Sequence, residues 1–143
     1  MDISNITIDD TKIYLRSAVI IETNNGYIFE KDKVRGLFYI VGGGIQVNES
    51  SEEAAKREAL EELNINIDKI ELKAIVERFF SNESNRFHGI EFFYYCKIES
   101  IELPEGFCYF KQNEIIPEKT KPEIINDIIE NKQNGIIHLK INK

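Results

Sequence analysis

The sequence predicts an α/β fold, a mixed sheet with helices packed on its faces, and three observations lead there. The spacing of apolar residues switches between two and about 3.6 along the chain, so strands and helices interleave. Asn24-Asn25-Gly26 is a turn signal between two β-branched segments, which requires at least one antiparallel pair. Helix-start chemistry occurs twice, at Ser50 and at Thr120, with long strand-like stretches between.

Taken in order, Ile13 to Glu22 reads as a strand and Tyr27 to Glu30 as its hairpin partner. Leu37 to Val41 is a third, short apolar strand that runs into Gly42-Gly43-Gly44. Ser50 and Glu53 then stand at capping-box spacing, and strong helix formers dominate to Leu63. Asn64 tolerates the left-handed conformation of a helix end, so a helix is expected over 51–63. Ile70 to Phe80 and Phe87 to Ile98 read as long strands joined across the polar loop Ser81 to Arg86. In the second, Ile90, Phe92, Tyr94, Cys96 and Ile98 share one face, with Glu91, Lys97 and Glu99 opposite. Thr120-Lys121-Pro122-Glu123 opens a second helix by another capping-box spacing and an early proline. Ile124, Ile125, Ile128 and Ile129 give that helix its apolar stripe, and Asn134-Gly135 ends it. Ile137, Leu139 and Ile141 alternate as a closing strand.

The 143 residues fit a single domain over 1–143. Eighteen Lys and Arg stand against 25 Asp and Glu, a formal charge of -7 that argues against nucleic acid as partner. A small anionic substrate remains compatible where bound metal cancels local negative charge. Cys96 and Cys108 make no disulfide framework, which fits a reduced, cytoplasmic setting. Met1 to Asp10 is acidic and lacks the regions of a signal peptide. No apolar run approaches the roughly 20 residues that span a bilayer, so no membrane partner is expected.

On the first helix Glu58, Glu61 and Glu62 fall at i, i+3 and i+4, which puts their carboxylates on one face. Ala55, Ala59 and Leu63 form a separate stripe that suits close packing on a sheet. Three like charges repel, and a hard divalent cation reverses that sign. Arg57, with Glu53 and Glu61 four residues to either side, can brace the array. The ordinary alternative for the triplet alone is a solvated acidic face.

The neighbourhood changes that balance. Gly43 to Ile65 reads GGIQVNESSEEAAKREALEELNI. It resembles the Nudix box, G-x5-E-x7-REUxEExGU with U aliphatic. Gly43 takes the first position, Glu49 the next, Arg57-Glu58 follow, Ala59 is the first U, Glu61-Glu62 the acidic pair, and Ile65 closes the box. Asn64 replaces the motif's last glycine, a mild change at a left-handed position.

The resemblance implies a Nudix-like α/β/α sandwich around a mixed β-sheet. It also implies metal-dependent hydrolysis of a phosphoanhydride in a nucleoside diphosphate linked to another moiety. Mg²⁺ (or Mn²⁺) would be held by Glu58, Glu61 and Glu62, with the backbone carbonyl of Gly43. Glu49 and Arg57 would form a supporting pair. Glu61 or Glu62 either ligates metal or deprotonates the attacking water, and the base in some relatives lies on another loop, for which Glu83 and Glu114 are the candidates here. Family members often form dimers, so a homodimer is one expectation for partners.

Outside the box, Arg16 is a candidate for the substrate's phosphates and His88 a candidate substrate contact. The alternatives are a solvent-facing strand residue for Arg16 and a structural or exposed histidine for His88. Of Phe79, Phe80, Phe92, Phe93, Tyr94 and Tyr95, one or two are expected to meet substrate and the rest to fill the core. The rival function is a catalytically silent Nudix-like nucleotide sensor. Retention of all three glutamates weighs against it, and the substrate itself is not legible in the sequence.

Overall fold

The computed structural model describes residues 2–3 and 6–142; of the acidic stretch Met1 to Asp10, Met1, Ser4 and Asn5 lie outside the described residues. The fold is organised on one 13-residue strand, β2 (Thr11–Thr23), preceded by the short β1 (Ile6–Ile8). Ala18, Val19, Ile20 and Ile21 in β2 are all buried, the mark of a strand covered on both faces. There follow β3 (Gly26–Lys31), β4 (Phe38–Tyr39), β5 (Val41–Gly44), α1 (Ser51–Leu63), β6 (Glu71–Ser81) and β7 (Arg86–Lys97). β8 (Phe107–Phe110), β9 (Thr120–Lys121), α2 (Ile125–Glu130) and β10 (Ile137–Asn142) complete the order.

β7 runs parallel to β2 along its whole length, Thr11 opposite Arg86 through Glu22 opposite Lys97. β6 is antiparallel to β7, and β10 lies parallel outside β6. The other edge of β2 takes three partners in succession. β1 pairs from Thr11 to Ile13, β5 from Arg16 to Val19, and β3 at Glu22 and Thr23. This succession curls the mixed sheet, and just past β5 the N-terminal segment pairs with the chain, Asp2 opposite Gln46.

The two faces carry separate cores. Val19, Ile21, Ile28, Val41 and Tyr94 pack with Ala55, Ala59 and Leu63 of α1. Ala18, Ile20, Phe29, Val76 and Phe93 pack with Ile125, Ile128 and Ile129 of α2. Full burial of one such isoleucine is worth about 1.5–3 kcal/mol, enough to seat a helix of two turns. The result is the expected α/β/α arrangement.

Several boundaries differ from the sequence expectation. Leu37 to Val41 is two strands rather than one, because the chain crosses at buried Ile40 from pairing with β3 to pairing with β2. Thr120 does not open a helix: Thr120 and Lys121 pair with β4, and the Thr120 hydroxyl donates to the Ile116 carbonyl. Glu123 cannot close a capping box because Arg78 takes its carboxylate at 2.9 Å. α2 therefore starts at Ile125 and ends at Glu130, short of Asn134-Gly135. Strands β1, β8 and β9, of three, four and two residues, are too short for a period to declare them in the sequence.

Neither cysteine is in a disulfide, and burial pushes the Cys96 thiol up to about 12. Among the described residues no helix is long and apolar enough to cross a membrane.

Candidate active site

The loop from β5 into α1 is closed by a turn in which the Gln46 N–H donates to Glu49 Oε1 at 3.0 Å and Asn48 adopts φ 68°. Ser50 then caps α1. Its side chain accepts from the Glu53 N–H at 3.0 Å, and the Glu53 carboxylate accepts from the Ser50 N–H at 3.1 Å. Glu53 is thereby taken from Arg57. At the other end Asn64 has φ 57° and donates its N–H to the Leu60 carbonyl, a left-handed cap. The helix is pressed to the sheet by Ala54, Ala55 and Ala59, each fully buried. A buried hydrogen-bond chain adds to this: the Ser17 hydroxyl donates to the Ser51 carbonyl at 2.6 Å, and the Ser51 and Tyr94 hydroxyls lie 2.6 Å apart.

Arg57 joins loop and helix. Its Nε and Nη2 donate to the two Glu49 oxygens at 2.7 and 3.0 Å, and Nη2 also donates to the Gly44 carbonyl at 3.0 Å. Nη1 reaches Glu58 at 3.1 Å and Glu61 at 3.2 Å. The Glu49 carboxylate is held below the usual range by these Arg57 hydrogen bonds.

The three box glutamates separate into two settings. The Glu62 carboxyl accepts from the Gly42 N–H at 3.2 Å and meets the Glu58 carboxyl. Burial, followed by that Glu58 contact, pushes Glu62 far above the usual carboxylate range. Glu61 is turned toward Arg57 with 55% of its side chain exposed. Among the described residues, no three His, Cys, Asp or Glu side chains converge as a metal-binding group. Gly43 is fitted against this site, since a Cβ there would stand 2.6 Å from Glu58 Cδ. Glu30 of β3 adds to the negative field on Glu62, a neighbour that no spacing in the box reveals.

On the opposite face of the sheet lies a cleft of about 660 Å³. It touches the carboxylate site at Gly44, which pairs with Arg16 across β5 and β2. Arg16 faces this cleft, with Lys12, Arg35, Arg78 and Lys121 as its other basic groups. Glu91, on the strand face opposite Phe92 and Tyr94 as its spacing predicts, is buried there at 8% exposure. It accepts from the Tyr14 hydroxyl at 2.7 Å and from Arg78 at 3.0 Å, while Arg78 also holds Glu123. Gly89 makes this possible, because any Cβ on it would overlap the Tyr14 ring.

His88 lies on the α1 face instead, exposed, with its ring 4.4 Å from that of Phe79. The structure therefore does not bring His88 and Arg16 together. Of the aromatic candidates, Phe80 and Phe93 line the cleft, and Phe87 joins them. Glu114 accepts from its own Lys111 N–H, and Glu83 sits in the exposed β6–β7 turn; neither lines the cleft.

A family model, the NUDIX domain, matches residues 14–126. The chain belongs to the Nudix family. The match covers the box helix and the sheet strands from β2 to β9, and leaves out β1 and β10. Solved Nudix structures share the fold. The MutT protein from Bacillus halodurans is 23% identical with a TM-score of 0.66, covering 82% of this chain and 80% of that one. A MutT NUDIX hydrolase from Burkholderia pseudomallei is 20% identical at TM-score 0.65, covering 80% and 95%. The Ap4A hydrolase of C. elegans is 11% identical at TM-score 0.61, covering 85% and 96%. No curated protein is similar enough in sequence to match. The Nudix chain described here is thus a hydrolase by family, with its box helix on one face of the sheet and its cleft on the other.

Proposed function

We propose that the protein is a Mg²⁺- or Mn²⁺-dependent pyrophosphohydrolase of nucleoside diphosphate derivatives, acting as a single cytoplasmic domain. The observation that carries this is the Glu58–Glu62 carboxyl pair beside Gly42 and Gly43, braced by Arg57, with the next residue, Gly44, lining a basic cleft.

The donor set fits a hard divalent cation. Two carboxyls in contact repel unless they share a proton or a cation; burial first, and the Glu58 contact second, make the lone charge on Glu62 costly, and a bound cation would offset both. Glu58, Glu62 and Glu61 would hold the ion, together with the Gly43 carbonyl. When bound, it supplies neutralisation of the phosphoryl oxygens and acidifies a coordinated water. Arg57 orients Glu58 and Glu61 and keeps the loop against the helix through Glu49. Glu61 and Glu62 divide the ligand and base roles. Arg16 binds the substrate's phosphates from the cleft side, and the cleft's aromatic wall receives a base.

The test is hydrolysis of a panel of nucleoside diphosphate derivatives with Mg²⁺, with Mn²⁺ and with chelator, beside Glu61→Gln and Glu62→Gln. Metal-dependent turnover that falls at least a hundredfold in a folded variant is the expected result. A melting temperature indifferent to both metals, together with silence across the panel, would overturn the proposal.

A further inference from the structure

The cleft holds more positive charge than a diphosphate at the carboxylate end uses. Arg78 is committed to Glu91 and Glu123. Among the described residues, Lys12, Arg16 and Arg35 line the same cleft without a carboxylate partner. In a chain of formal charge -7, three unpaired cations around one concavity form a local inversion of sign.

Their positions matter as much as their number. Arg16 stands opposite Gly44, at the junction with the carboxylate site. Lys12 is on the same strand and the same face, four residues away, roughly 13 Å along an extended chain. Its ammonium lies 5.9 Å from the centre of the Phe87 ring, and that ring is stacked on Phe80 at 4.4 Å with 9° between planes. Arg35 enters from the loop between β3 and β4. Two phosphates joined by one bridging oxygen span far less than the Lys12–Arg16 backbone separation, so a diphosphate bound at Arg16 leaves the Lys12 end of the cleft to a further group.

The geometry points to a second anion subsite, formed by Lys12 and Arg35 beyond Arg16, that selects substrates carrying a phosphate additional to the diphosphate being cleaved. This rests on the pyrophosphohydrolase reading of the same site. Arginine and lysine at a partly enclosed rim suit a phosphate, and the flat Phe80–Phe87 surface beside Lys12 suits the base or other apolar body attached to it. An extra phosphate has two chemical sources, a longer polyphosphate chain or a phosphorylated sugar.

Two matched pairs separate those sources: diadenosine diphosphate against diadenosine tetraphosphate, and dephospho-coenzyme A against coenzyme A. The full protein with Mg²⁺ should show kcat/KM at least tenfold higher for the more phosphorylated member of one pair, and which pair does so names the source. In Lys12→Ala and Arg35→Ala that ratio should collapse toward one, while Arg35→Lys retains part of it. The ratio should also shrink with added salt. Equal rates within both pairs, or variants that slow both members alike, overturn the subsite. Absence of turnover for all four compounds would instead count against the pyrophosphohydrolase reading. Calorimetric binding of the same compounds then reads the subsite, which stands if the Kd ratio favours the extra phosphate and falls if it does not.

Discussion

Arg57 grips Glu49 with two parallel hydrogen bonds, 2.7 Å from Nε and 3.0 Å from Nη2, across eight residues of chain. The side chains are only 22% and 13% exposed, so water screens the pair poorly. Through it the loop that carries Gly43 and Gly44 is fixed to the helix that carries Glu58, Glu61 and Glu62. Hydrogen bonds to charged groups contribute about 1.5–3 kcal/mol. Glu49→Gln should therefore lower stability by about that amount in urea denaturation at neutral pH. An unchanged midpoint would mean that Glu58 and Glu61 hold Arg57 unaided.

The same pair sets a pH dependence. The Glu49 carboxylate in the folded protein lies below its usual range because Arg57 donates to it. A folded pKa below the unfolded one gives stability that is complete above the unfolded value and is lost as pH falls through the folded value. The stability gap between wild type and Glu49→Gln should close on acidification from neutral pH. A gap that stays constant down to about pH 3 would show that Glu49 is not preferentially ionised in the fold.

Gly43→Ala separates site from scaffold. The added methyl would stand 2.6 Å from Glu58 Cδ, and the side chain, not the backbone, has to move. Loss of any melting-temperature gain from Mg²⁺ is expected, with little change in the metal-free melting temperature. Metal stabilisation equal to wild type would show that the Glu58 position is not needed.

The helix end can be tested on its own. Asn64 sits at φ 57°, where a residue with a Cβ costs about 1–2 kcal/mol unless its side chain compensates. Asn64→Gly should be tolerated and Asn64→Val should lose about 1–2 kcal/mol in chemical denaturation. Equal midpoints for the two would argue against a left-handed cap.

Gly89→Ala addresses the cleft. Its Cβ overlaps the Tyr14 ring, which must give up its hydrogen bond to Glu91. Overpacking of this kind costs about 1–3 kcal/mol, to be read from denaturation midpoints. A neutral result would mean that the ring swings out freely.

Local pattern made the box helix readable. Ser50, Glu53 and Asn64 act on backbone within one turn, and Ala55, Ala59 and Leu63 declare their face by spacing, so both ends of α1 lie where the sequence puts them. The paired loop and helix, Glu49 with Arg57, follow from a spacing fixed along the chain. Long-range pairing decided the rest. Which way Arg16 points depends on the register of β2 against β5 and β7, and a one-residue slip would have turned it to the other face. Spacing put Glu91 on the face opposite Phe92, but only the fold brings Tyr14, 77 positions away, and Arg78 onto it. Glu123 looked like a helix cap until Arg78, 45 positions away, claimed its carboxylate. Spacing on the helix put Glu58, Glu61 and Glu62 on one face, but burial against Gly42 and Gly43 drew only Glu58 and Glu62 together and left Glu61 to Arg57. The helix, its caps and its charges follow from rules that act within a few residues, and so they are legible along the chain. Which charges meet and where the cleft opens depend on strands brought together from distant parts of the chain, and so they appear only in the fold.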